Sequence, residues 1–174
     1  KPLKPHEVIA GSHKKVWWIC KNDNSHKWKA SIRERTKHRI SMAGRRGTGK
    51  PTGCPYCTNR VVSTNNSLKT NFPKIAAEWH PTKNGELLPD NIVFGSGKKV
   101  WWKCNKGPDH EWQSKIVSRT TRGDGCPICN GKIVVMSNSL ATTHPKIVGE
   151  WDSKKNKPLK PHEVIAGSHK KVWW

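Results

Sequence analysis

The sequence predicts a tandem of small α+β modules, each made of a β-hairpin, a cysteine knuckle and a short helix. Two observations carry that prediction. The chain repeats itself: GSHKKVWWIC at residues 11–20 returns as GSGKKVWWKC at 95–104, and residues 157–174 copy residues 1–18 letter for letter. Each full repeat also carries one constellation, a Cys-x5-His followed by Cys-Pro-x-Cys. The two sets are Cys20, His26, Cys54 and Cys57, then Cys104, His110, Cys126 and Cys129. Three thiolates and one imidazole form a closed tetrahedral zinc set, the kind that holds a fold together. One Zn2+ per complete module is the expected cofactor. The repeats mark residues 1–84 as a first module, 85–156 as a second, and 157–174 as the start of a third without metal ligands. Such units bury their faces partly against neighbours in a longer array.

Within a module, the run KKVWWxC is short and rich in Val and Trp, which reads as a strand delivering the first cysteine. Neighbours on a strand point to opposite faces, so one member of Trp17-Trp18 and of Trp101-Trp102 packs inward. The other covers a neighbouring module or meets a partner. A second strand returns through His26, Trp28 and Ile32, matched by His110, Trp112 and Ile116. CPYC and CPIC form tight knuckles whose proline fixes the turn. A polar link through Asn65, Asn66, Ser67 and Leu68 leads to a short helix opened by Pro73, with Pro145 at the matching place. Ile75, Ala76 and Trp79, matched by Ile147, Val148 and Trp151, give that helix one narrow inward face, and Pro81 ends it in the first module. A turn-rich, extended run then leads into the next module. The first module differs by a glycine-rich basic insertion at residues 37–53, with five Lys or Arg and no acid.

Only 33% of the residues are hydrophobic, so ten tryptophans and two metal sites take the place of a large aliphatic core. All six cysteines are used by the two sets. Three per module cannot pair within a module without leaving one over, which favours zinc over disulfides. Zinc thiolates point to a reducing, intracellular compartment, cytoplasm or nucleus and nucleoid. No run approaches the ~18 apolar residues of a membrane span, and no secretory signal is visible in this segment, so no membrane partner is expected. Lys and Arg number 33 against 12 Asp and Glu, a formal charge of +21. Two loaded Cys3His sites, each a net −1, bring it to about +19. A polyanion is the expected partner.

The order W-W-x-C, H-x-W, C-P-x-C, N-S-L, P-x-(I/V)-x-x-E-W, K-N and G-S-x-K-K-V-W-W runs through both full modules and into the third. It resembles the tandem treble-clef zinc finger family, also described as a probable zinc-ribbon domain repeat. The resemblance implies one zinc per module on a small hairpin-plus-helix fold, ligated by the eight residues above, and a role on nucleic acid.

Candidate contacts to a phosphate backbone are the cations that recur between modules, with those of the insertion: Lys14, Lys15, Arg35, Arg39, Arg45, Arg46, Lys50, Arg60, Lys98, Lys99, Arg119, Arg122 and Lys132. Such contacts set position and affinity rather than sequence preference. DNA is favoured over RNA. The alternative is a scaffolding array whose basic face docks onto an acidic protein or ribonucleoprotein assembly. Of the nine histidines only His26 and His110 sit at matched spacing from a cysteine. His6, His13 and His80 read as surface groups, and His38 as a weaker alternative ligand in the first module. Glu78 and Glu150 recur beside the helix tryptophan, where an N–H or Arg partner explains them. No phosphate-binding glycine loop, nucleophile elbow or paired acids appear, so no catalysis is expected.

Overall fold

A computed structural model describes residues 3–36 and 52–174. The chain forms two compact units, Lys1–Asn66 and Ser67–Trp174. In the first, β1 (Lys15–Ile19) pairs antiparallel with β2 (Lys27–Ser31), placing Trp18 opposite Trp28 and Trp17 opposite Lys29. A short helix, α1 (Ile32–Thr36), follows directly. The alternation of the strand sorts its side chains: Cys20 and Ile32 are buried, while Trp17 is 71% exposed.

The second unit begins with two short helices, α2 (Leu68–Asn71) and α3 (Pro73–Ala76). Ser67 caps α2 by accepting the Thr70 N–H, and Pro73 opens α3 where its missing N–H costs nothing. A hairpin of β3 (Lys99–Lys103) and β4 (Glu111–Lys115) follows with the same register, Trp102 opposite Trp112, and then α4 (Ile116–Arg122). Gly123, at φ 71°, ends α4 in the left-handed conformation that costs other residues most. Two further short helices, α5 (Leu140–Thr143) and α6 (Pro145–Val148), repeat α2 and α3 before residues 157–174.

The core of this unit gathers Leu68, Ile92, Val100, Trp102, Trp112, Ile116 and Ile128, with Ile75, Ala76 and Trp79 packed against it. The segment around α2 and α3 therefore packs forward, onto the hairpin that follows it in sequence. Trp79 meets Trp102 edge to face at 5.4 Å, a favoured aromatic geometry, and Trp102 is fully buried. A second, smaller cluster repeats the arrangement with Leu140, Trp151 and Val164.

Several local expectations shift. The helix opened by Pro73 stops at Ala76, well short of Pro81, and Trp79 lies beyond it in a β-bridge to Trp102. A bridge satisfies the backbone there better than a further turn that would have to end before Pro81. The link through Ser67 is helical rather than irregular. Helices α1 and α4, not expected from the sequence, continue each hairpin. Ile147, expected inside, is 42% exposed, while Val148 and Trp151 turn inward. Among the described residues no helix is long and apolar enough to cross a membrane.

Candidate metal centres and basic surface

Each metal set is assembled by two local devices. The hairpin loop brings cysteine and histidine together because the Cys20 N–H donates to the His26 carbonyl at 3.0 Å, and Cys104 N–H to the His110 carbonyl at the same distance. The knuckle presents two more sulfurs on a tight turn. Thr58 N–H donates to the Cys54 carbonyl and Arg60 N–H to that of Pro55, and Asn130 and Lys132 repeat both bonds onto Cys126 and Pro127. The turn needs one left-handed residue, Asn59 at φ 54° in the first knuckle and Gly131 at φ 66° in the second. Asn66 and Asn138 then tie the chain leaving the knuckle. The Asn66 amide donates to the carbonyls of Tyr56 and Val61 and accepts the Ser63 N–H, and Asn138 does the same with Ile128, Ile133 and Val135. The N-S-L motif thus divides its labour: Asn closes the knuckle loop, Ser caps the next helix, and Leu enters the core.

All eight ligands converge. Within each set the ligand atoms lie within 4.8 Å of one another, and three residues of each four are buried. Cys20 and Cys57 sulfurs are 3.5 Å apart, and Cys104 and Cys129 sulfurs 3.7 Å. His26 Nδ1 lies 3.7 Å from the Cys54 sulfur and 3.6 Å from that of Cys57. His110 Nδ1 lies 3.9 and 3.4 Å from Cys126 and Cys129. A tetrahedral zinc with Zn–S near 2.3 Å and Zn–N near 2.0 Å requires edges of about 3.8 Å between sulfurs and about 3.5 Å from sulfur to nitrogen. The residues fit the ion, and in both sets Nδ1 is the histidine atom that faces it. His26 Nε2 in turn lies 3.4 Å from an Asp23 carboxylate oxygen, which places an acid beside the outer edge of the imidazole.

Crowding three thiols together splits their acidities. The Asn22 amide holds the Cys20 thiol down at about 7, with Cys57 and Asp23 helping. Cys57 is pushed up to about 11, chiefly by its hydrogen bond with Cys20, and Cys129 to about 11 by burial and then by Cys104. Adjacent thiolates repel, and a divalent cation between them removes that penalty.

The cationic residues fall into two groups. Lys14, Lys15, Arg60, Lys98, Lys99, Arg122 and Lys132 are exposed. Arg119 is a correction: only 5% of it is exposed, and its guanidinium stacks on Trp102 at 4.5 Å and Trp112 at 5.2 Å. It also donates to Glu78 at 2.7 Å and to the Asp124 carbonyl at 3.1 Å. Arg35 repeats this role, over Trp18 at 5.0 Å and Trp28 at 5.2 Å, with a hydrogen bond to the Thr52 carbonyl. Planar guanidinium between the inward tryptophans explains both recurrences by packing, and the buried Arg119 is not free for phosphate, whereas Arg35 is half-buried. Recurrence alone could not separate a solvent-facing cation from one that stacks. Arg39, Arg45, Arg46 and Lys50, with His38, lie outside the described residues.

His80, expected at the surface, is 4% exposed. Its Nδ1 accepts the N–H groups of Thr82 and Lys83, and its Nε2 lies 3.2 Å from Glu111. Asp152, its counterpart, accepts from Lys154 and Lys155 in the same way. Two different side chains thus serve one acceptor role. Beside them Asn84 bonds both the N–H and the carbonyl of Trp101, as Asn156 does with Trp173, so an amide side chain pairs with the outer edge of the strand. That explains the K-N pair.

Lys99 and Lys132 line one groove of ≈ 720 Å³ with Trp101, Gln113 and Asn130. Of the acids there, Glu111 is held down at about 2 by Lys83 and Lys103, and Asp124 pairs with Arg122 at 2.8 Å. A family model described as a probable treble clef zinc finger domain matches residues 1–60, 75–132 and 147–174. No curated protein matches the chain.

Proposed function

We propose, from the premise that the chain belongs to the probable treble clef zinc finger domain family, that it is a binding module for nucleic acid, DNA first, working mainly through phosphates. When bound, zinc supplies the cross-link that fixes hairpin to knuckle, and in units this small metal binding is largely folding energy. Each ligand set offers four protein groups, the full complement of a structural zinc site. Function then falls to the outer surface.

The observation that carries the reading is the outward face of the first hairpin. Lys15, Trp17, Ile19, Lys27 and Lys29 share it, and Trp17 is the most exposed of its tryptophans. An aromatic ring between cations offers a stacking surface beside charges that neutralise phosphates. On the second hairpin, Lys99 and Trp101 meet Lys132 across the groove. Duplex DNA, with one charge per ~1.7 Å of axis, gives such a surface its largest counterion-release gain. A reducing, intracellular compartment suits the thiolate ligands.

The test is fluorescence anisotropy of the zinc-loaded chain against duplex DNA, single-stranded DNA and RNA across a salt series. Submicromolar affinity for the duplex is expected. With six to ten phosphates engaged, affinity falls roughly 10³–10⁵-fold between 50 and 200 mM salt. A stronger response to RNA would overturn the DNA preference. Weak binding to all three would assign the basic surface to an acidic protein assembly instead.

A further inference from the structure

The groove of the second module brings together groups that phosphate contact alone does not call for. Trp101 and Gln113 lie opposite each other in the register of β3 and β4, so their side chains share the outward face of the hairpin. Lys99, two residues before Trp101, stands on the same face. The knuckle contributes Asn130 and Lys132, set on either side of the left-handed Gly131 by backbone bonds to Cys126 and Pro127. All of these line one cavity of ≈ 720 Å³, within the size range of sites that hold small organic ligands.

The charges in the groove are sorted. Its acids are already paired, Glu111 with Lys83 and with Lys103 at 3.2 Å, and Asp124 with Arg122 at 2.8 Å. Lys99 and Lys132 are exposed, and among the described residues neither pairs with an acid. Gln113 and Asn130 are exposed too, and among the described residues neither carboxamide makes a hydrogen bond. Trp101, in contrast, is held in place. The Asn84 amide bonds its N–H at 2.8 Å and its carbonyl at 2.9 Å, and Lys83 lies 4.6 Å over its ring. Lys83 takes one face of the ring and leaves one to offer. A fixed aromatic face beside unpaired cations and amides is pre-organised for a planar, anionic, hydrogen-bonding ligand.

Comparison of the modules divides these groups by role. Lys99, Trp101 and Lys132 are matched in the first module by Lys15, Trp17 and Arg60. Those groups meet what every nucleotide has, a phosphate and a π-face. Gln113 and Asn130 are not matched, because the first module has Lys29 and Thr58 there. A carboxamide carries a donor and an acceptor side by side, the pattern that reads a base edge.

We infer that this groove takes a single unpaired nucleotide, its base stacked on Trp101 and its edge read by Gln113 and Asn130, with adenine favoured over guanine. The inference rests on the nucleic-acid reading above and adds a base preference to it. A carboxamide meets the N6 donor and N7 acceptor of adenine together, whereas guanine O6 and N7 are both acceptors and leave the amide oxygen unpaired. A base already outside the stack, in a bulge or a single strand, enters such a site at least cost. Lys99 and Lys132 neutralise the phosphates beside it.

Fluorescence anisotropy of the zinc-loaded full chain tests this on short duplexes with one extrahelical position. That position holds adenine, guanine or an abasic sugar, and the fully paired duplex gives the baseline. Adenine is expected to bind at least about fivefold tighter than the abasic sugar, the lower end for one stacked base. It is expected to exceed guanine by a similar factor, the lower end for one bidentate pair. Trp101→Leu keeps apolar bulk without a stacking face and is expected to bring the adenine-to-abasic ratio close to one. The double variant Gln113→Lys, Asn130→Thr carries the side chains that the first module holds at those places, so hairpin and knuckle tolerate them. It is expected to lose the adenine-to-guanine difference and keep the gain over the abasic sugar. Each readout is a ratio within one protein, so a change in overall affinity cancels, and two zinc ions by native mass spectrometry show that the fold is kept. Equal, salt-sensitive binding of every duplex would overturn this inference and leave the phosphate reading standing. Weak binding to all of them, the paired duplex included, would overturn both and assign the groove to an acidic protein. A base preference unchanged in both variants would overturn the assignment to this groove.

Discussion

Replacing Arg119 by alanine separates packing from ligand binding more sharply than any other change to the basic residues. The side chain is 5% exposed, lies over two tryptophans and donates to Glu78 and to the Asp124 carbonyl. Breaking a buried ion pair from one side costs about 3–5 kcal/mol. Glu78 is 35% exposed, so solvent screening brings the share of the pair down to about 1–2 kcal/mol, while removing the guanidinium from the two tryptophan faces adds roughly 0.5–1 kcal/mol each. Together these give about 2–4 kcal/mol. Arg122, 68% exposed and paired with Asp124 at the surface, serves as the control, with an expected cost below about 1 kcal/mol. Hydrogen exchange of the amides of β3, β4 and α4, on zinc-loaded protein, reads the local opening free energy directly. Arg119→Lys is expected to rescue little, because an ammonium cannot stack as a plane or donate along two directions. If Arg119→Ala and Arg122→Ala prove equally mild, and Arg119→Ala lowers the salt slope of DNA binding instead, Arg119 is a phosphate contact and the packing assignment is wrong.

Three further outcomes follow from the geometry. His80→Asn is expected to hold the fold, because Asp152 shows that a short acceptor suffices, whereas His80→Ala orphans two backbone N–H groups and costs about 1–3 kcal/mol in denaturant unfolding. The Asp152 carboxyl is held below the ordinary carboxylate range, chiefly by the Lys155 N–H and then that of Lys154. A folded-state value below the unfolded one contributes stability above the ordinary range and loses it as pH falls, so Trp151 fluorescence should report loosening of residues 151–156 only on the acid side. Trp17→Ala is expected to weaken single-stranded DNA binding by roughly 1–3 kcal/mol without altering zinc content, and Lys29→Ala to lower the salt slope by about one. Unchanged affinity in both would remove the first hairpin from the interface.

The metal sets are fully legible in the sequence because coordination chemistry tolerates few residue types at few spacings, and repetition marks which histidine belongs. The hairpins are legible for a related reason: KKVWW puts a large side chain on each face of a strand. Other features are hidden by the nature of a repeat. A period has no intrinsic start, so it cannot say whether the segment around Pro73 packs on the hairpin before it or after it. Recurrence likewise marks Arg35 and Arg119 as required without saying whether solvent or tryptophan surrounds them. His80 escapes because its counterpart Asp152 shares an acceptor atom and not a residue type. The spacing overextends α3 because Trp79 keeps helical periodicity while its backbone bridges to Trp102.

Native mass spectrometry of the purified chain tests the central claim, that each module is held by its own Cys3His zinc. The parent chain is expected to carry two zinc ions, and Cys54→Ser and Cys126→Ser one each, with the module that loses its ion unfolding first. A parent chain without zinc, or either variant retaining both ions, would contradict it.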